Sequence, residues 1–69
     1  MQKTIQDGQT EVWMDEKGNR IVITECECTA WKYFYVFAKA ANKKGKTVKT
    51  RCTYDTAISI VKQYEKEWA

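Results

Sequence analysis

A chain of 69 residues with 43% hydrophobic residues, nine aromatics, no proline, and 12 Lys and Arg against 9 Asp and Glu is expected to fold as one small domain with a net charge of +3. That length excludes a second core, and the aromatic content excludes a disordered tail. The absence of any apolar run of about 20 residues excludes a helical membrane span.

In chain order, residues 1–9 are polar, contain Gly8 and lack periodicity, which predicts a flexible N-terminal arm. The opening MQKTIQDGQT has no apolar signal-peptide core, so the expected compartment is the cytoplasm. Residues 10–69 are read as a single ββββα domain. Its first hairpin comprises Glu11–Met14 and Arg20–Cys28, turned at Gly18 and Asn19, two residues that tolerate positive φ.

A second hairpin follows. Trp31–Lys39 is dense in aromatics, Asn42–Lys46 is a lysine-rich turn, and Thr47–Thr53 alternates apolar with polar residues. Ala30–Asn42 has a rival as a helix, because Ala38, Lys39, Ala40 and Ala41 favour helices; the Tyr-Phe-Tyr-Val-Phe run favours strand. Thr53 or Asp55 then caps a helix over about 55–68, in which Ala57, Ile60, Val61, Tyr64 and Trp68 recur at spacings of three and four. The expected fold class is therefore α+β, an antiparallel sheet of three to four strands in two hairpins packed on one C-terminal helix.

Side chains alternate across a strand, so parity sorts the sheet into two faces. Even positions, Val12, Met14, Val22, Thr24, Cys26, Cys28, Phe34, Val36, Ala38, Val48, Cys52 and Tyr54, form the predicted core face. Odd positions place Trp13, Ile21, Ile23, Trp31, Tyr33, Tyr35 and Phe37 beside Lys39, Lys49 and Arg51 on the other. That second face is apolar and basic together, which suits a surface stacking on nucleic acid, a surface docking a protein or a second copy of the chain, or, if the parity is inverted, core.

Charge is unevenly spread. Residues 1–30 carry three basic and six acidic residues, whereas residues 31–69 carry nine basic and three acidic. Between Trp31 and Tyr54 there are seven basic residues and no acidic one, a distribution that attracts a polyanion. Cys26, Cys28 and Cys52 cannot all pair within one chain, and a bridge between positions two apart in a strand is geometrically poor. Reduced, buried thiols are expected, with a three-thiolate metal site as the alternative. No cofactor motif is present, no metal is expected, and the lack of histidine or of any recognisable constellation excludes an enzyme.

Residues 31–64 resemble the arm-type, AP2-like DNA-binding domain of mobile-element tyrosine recombinases. The resemblance rests on Trp31, Tyr33 and Tyr35 on an opening strand, the Asn42-Lys43-Lys44-Gly45-Lys46 turn, Lys49 and Arg51 on the next strand, and Thr53 and Ala57 four apart where a helix begins. It implies that the sheet face enters the major groove, with Tyr33, Tyr35, Lys49 and Arg51 against DNA and the turn lysines against phosphates. The expected interface is Trp31, Tyr33, Tyr35, Lys39, Lys43, Lys44, Lys46, Lys49 and Arg51, with nucleic acid, DNA above all, as partner. A host protein bound by a phage or mobile-element factor, or a homodimer through the aromatic face, is the alternative; a membrane is not an expected partner.

Overall fold

The computed structural model describes residues 1–5, 7–26 and 32–69. It is an α+β fold. Five antiparallel strands, β1 (Gln2–Ile5), β2 (Thr10–Met14), β3 (Arg20–Cys26), β4 (Tyr33–Lys39) and β5 (Lys46–Cys52), lie in sequential order, and one helix, α1 (Tyr54–Glu67), follows. Residues 33–39 are strand, as the aromatic run favours. The sheet has one strand more than expected, because Gln2–Ile5 of the predicted arm pairs along β2, with Lys3 opposite Trp13 and Thr4 opposite Val12. Met1 and Trp13 both pack against the core, so apolar anchoring and ladder hydrogen bonds hold a segment that is polar in sequence.

Helix α1 starts where the threonine predicts. Thr53 is the N-cap, its side-chain oxygen accepting from the Thr56 N–H at 3.2 Å, and Asp55 and Lys66 complement the helix dipole at its two ends. Ala57 and Val61, four apart, turn one stripe onto the sheet, where they close a core with Ile21, Ile23, Val36 and Ala38. Ala57, Ile21 and Val36 are fully buried.

That core corrects the expected parity of the first hairpin. The register pairs Ile21 with Ala38 and Ile23 with Val36, and Trp13 with Ile21, so the odd residues of β2 and β3 face the helix. Val12, Met14, Val22, Thr24 and Cys26, expected in the core, project from the opposite side. The physical reason is the larger apolar surface of the two isoleucines, which outweighs Val22 and Thr24 in the competition for the covered face. In β4 and β5 the expected parity holds for Val36, Ala38, Val48 and Cys52, which are buried or packed against the core. Tyr54, expected on the core face of the sheet, is the first helical residue, with its ring edge-on to Phe34 at 5.3 Å.

The β2–β3 connection is a hydrogen-bonded clasp. The Asp15 carboxylate accepts from the backbone N–H groups of Lys17 and Asn19 and from the Asn19 side-chain amide, each at 2.9 Å, and Gly18 supplies the φ of 90° that the turn needs. Asn19 is buried, and its side-chain Oδ1 accepts from Ala41 N–H at 2.8 Å, joining this turn to the β4–β5 turn. Partial desolvation pushes the Asp15 pKa up, but the hydrogen bonds from Asn19 and Lys17 outweigh it and hold the group below its ordinary 3.8. A depressed folded pKa contributes stability that is present above the ordinary value and lost as pH falls through the folded one. Below about pH 4, the unfolding midpoint of the wild type should therefore fall more steeply than that of Asp15→Asn; parallel acid titrations would refute this role for the clasp.

Cys26 is disulfide-bonded, whereas Cys52 is a free thiol. The expectation of three reduced thiols is therefore corrected for Cys26. Cys28 lies outside the described residues. The Cys52 thiol donates to the Phe34 carbonyl at 3.5 Å and is raised in pKa by burial, against the pull of Lys49. It is held as a protonated core group rather than a nucleophile. Among the described residues no helix is long and apolar enough to cross a membrane, and no group of His, Cys, Asp and Glu is arranged to hold a metal ion.

Candidate nucleic-acid interface

The helix covers one side of the sheet, and the register decides what the other side presents. From β2 come Val12 and Met14; from β3, Arg20, Val22 and Thr24; from β4, Tyr33, Tyr35, Phe37 and Lys39; and from β5, by alternation with the core-packed Val48 and Cys52, Lys49 and Arg51. Three of the apolar side chains stand well out of the sheet: Met14 is 41% exposed, Tyr35 39% and Phe37 37%. Val12 is on the same side yet only 6% exposed, flanked across the strands by Thr4 and Val22.

The aromatic row of β4 is the centre of the face. Tyr33, Tyr35 and Phe37 recur at every second residue, which spaces them about 7 Å apart along the strand. Tyr33 and Tyr35 meet edge to face, with centroids 6.1 Å apart, and the Arg51 guanidinium lies over the Tyr33 ring at 5.2 Å. Phe37 leans diagonally towards the start of β5. A Cβ on Gly45 would stand 2.0 Å from its ring, so only glycine leaves room for the ring to lie against the backbone.

Beside that row runs a basic one. Strand β5 carries a bulge: Phe34 faces Cys52 and Ala38 faces Lys46, so six residue steps of β5 run against four of β4. The extra residues lie about Lys49, and such bulges bend and twist a strand. Arg51 lies on the uncovered face, over the Tyr33 ring; Lys49, which the bulge sets opposite buried Val36, is exposed and follows Val48, which packs against the core; and Lys39 pairs with Arg20 across β3 and β4. None of these four makes an ion pair among the described residues, so their charge is available to a ligand.

The acidic residues of the first hairpin lie elsewhere. Glu11 pairs with Ile23 and Glu25 with Phe34, which puts both on the helix side. The Tyr54 hydroxyl donates to the two Glu11 carboxylate oxygens at 3.0 and 2.8 Å, and the Trp13 indole N–H donates to the same group at 3.4 Å. Burial, and then the Glu11 carboxylate, push the Tyr54 hydroxyl pKa up. Glu25 pairs with Lys32 at 3.7 Å. Among the described strand residues, the uncovered face carries four basic side chains and no acidic one.

Of the residues singled out from sequence, Tyr33, Tyr35, Lys39, Lys49 and Arg51 are brought together on this face. Lys43 and Lys44 are exposed in the β4–β5 turn, at one end of it. Lys46 opens β5 opposite the buried Ala38 and so starts on the helix side. Trp31 lies outside the described residues. Trp13, placed with the aromatics by parity, packs on the core with Lys3 over its ring at 5.7 Å. Sequence reasoning missed Arg20, Met14, Val22 and Thr24 as members of the face. The signal that could have found them was the Ile21/Ile23 pair, whose greater hydrophobicity sends its even-numbered neighbours outward.

No protein-family model matches the chain, and no curated protein or solved structure matches it either.

Proposed function

We propose that the protein is a small nucleic-acid-binding module, DNA being the expected polymer, that uses the uncovered sheet face as its contact surface. One observation carries the proposal: Arg20, Lys39, Lys49 and Arg51 surround exposed Tyr35 and Phe37 on a face free of carboxylates among the described strand residues. Phosphate neutralisation by such a set supplies most of the affinity of non-specific binding and makes it salt-dependent. Exposed aromatics between the charges add contact with bases.

Lysines 43 and 44 extend the basic surface beyond the end of the sheet, where they reach phosphates outside the central footprint. The expected compartment is one that holds nucleic acid, the cytoplasm being the simplest.

Fluorescence anisotropy with labelled single-stranded and duplex oligonucleotides at two salt concentrations tests the proposal. Binding that weakens as salt rises is the expected result, and no binding of either form at low salt rejects it. A second reading is favoured by Met14, 41% exposed at the end of β2 on the same face, because an exposed apolar side chain suits a host protein or a second copy. Light scattering that reports a monomer, with nucleic acid bound, excludes the dimer. Like charges on two facing copies weigh against that arrangement from the start.

A further inference from the structure

Resting on the nucleic-acid reading, we infer that the ligand of this face is a single-stranded polynucleotide, with its backbone along the β5 row of Lys49 and Arg51 and its bases stacked on Tyr35 and Phe37 of β4.

Three observations converge on a single strand. The first is width. Five strands at the usual separation make a sheet about 19 Å across, against a major groove about 12 Å wide, so the face as a whole does not enter a duplex. A duplex would rest on it from outside and offer phosphates and sugars.

The second is chemistry. The middle of the face is Val22, Tyr35 and Phe37, with Met14 towards the β2 side. Covering those groups with the polar exterior of a duplex removes water from phosphates and sugars without giving the rings a partner. Unpaired bases offer flat, apolar surfaces that match the rings, and stacking is tolerant of sequence because every base has a π-face.

The third is arrangement. The basic row of β5 and the aromatic row of β4 run side by side on adjacent strands. A polynucleotide has the same two-row form, a charged backbone with bases to one side. Tyr33, half-buried under Arg51 and edge-on to Tyr35, acts as a buttress, whereas Tyr35 and Phe37 are the exposed platforms. Consecutive rings about 7 Å apart accept one base each from an extended strand.

The test compares oligo(dT), oligo(U) and a duplex of the same length on the full chain, with and without Tyr35→Ala and Phe37→Ala. Either single strand binding tighter than duplex is expected, and the dT and U arms show whether DNA or RNA is preferred. Tyr35→Ala and Phe37→Ala should each weaken single-strand binding roughly 5- to 150-fold, and Tyr35→Phe should restore it, since stacking does not need the hydroxyl. Photo-cross-linking of the wild-type chain with 5-iodouracil oligonucleotides locates the contact without any variant, and cross-links at Tyr35 or Phe37 are expected.

Duplex bound as tightly as single strand, or cross-links confined to the Lys43–Lys46 turn, overturns the inference and leaves the nucleic-acid reading standing. Failure of all three oligonucleotides to bind at low salt overturns that underlying reading instead.

Discussion

Ile23→Ala should lower the unfolding free energy by about 2–5 kcal/mol, whereas Thr24→Ala, one residue further along β3, should cost less than about 1 kcal/mol. Ile23 is 1% exposed and opposes Val36 in the core. Thr24 projects from the uncovered face opposite Tyr35. For a domain of 69 residues the whole stability is on the order of 3–10 kcal/mol, so the first substitution removes a large share of it and leaves a visible unfolded population. Urea denaturation of the two variants side by side is decisive. If Thr24→Ala is the costly one, the first hairpin is seated with its other face on the helix, and the proposed interface fails with it.

Replacing Arg20, Lys39, Lys49 and Arg51 together by Gln should weaken nucleic-acid binding and flatten its dependence on salt. Each phosphate no longer neutralised takes about 0.7 to 0.9 from the slope of log K against log salt, so the four together take about 3. The same substitutions should leave the thermal midpoint nearly unchanged, because none of the four carries a salt bridge among the described residues and surface charges are worth little to folding. Lys62→Gln with Lys66→Gln, on the exposed side of α1, is the control. An equal flattening of the slope in that pair would mean that the net charge of the chain, not this face, does the binding.

The fold was legible where local rules act alone. Thr53 before an apolar stripe of spacing three and four marked the helix, Gly18 marked a turn that needs positive φ, and the alternation in β5 put Val48 and Cys52 against the core. Strand β1 was not legible. Gln2–Ile5 is polar and short, and only the neighbouring edge of β2 makes it a strand. The orientation of β2 and β3 was misjudged because both parities of those strands mix apolar with charged residues: Ile21 and Ile23 alternate with Val22 and Thr24, and Glu11 shares its side with Trp13. Which set faces the helix depends on what α1 and β4 offer across the core, a tertiary matter that one strand's pattern does not encode.

The same mixture decided the site. Tyr33, Tyr35 and Arg51 stand on the side expected of them because β4 and β5 each have one plainly apolar side. Arg20 was missed because its strand does not. The acidic residues Glu11 and Glu25 belong to the acidic half of the chain, and the register keeps them off the face.

The Asp15–Asn19 clasp bears on more than the stability of a turn. Strand β3 carries opposite charges on its two sides, Arg20 on the open face and Glu25 beneath it, so its register is also a choice of electrical sign. A slip of one residue against β4 would turn Glu25 outward and Arg20 inward. By fixing where β3 begins and tying that point to Ala41 of the next turn, Asn19 sets the polarity of the surface before any ligand arrives. Lengthening this turn by one residue would therefore be a way to reverse what the face attracts in a chain that still forms a sheet.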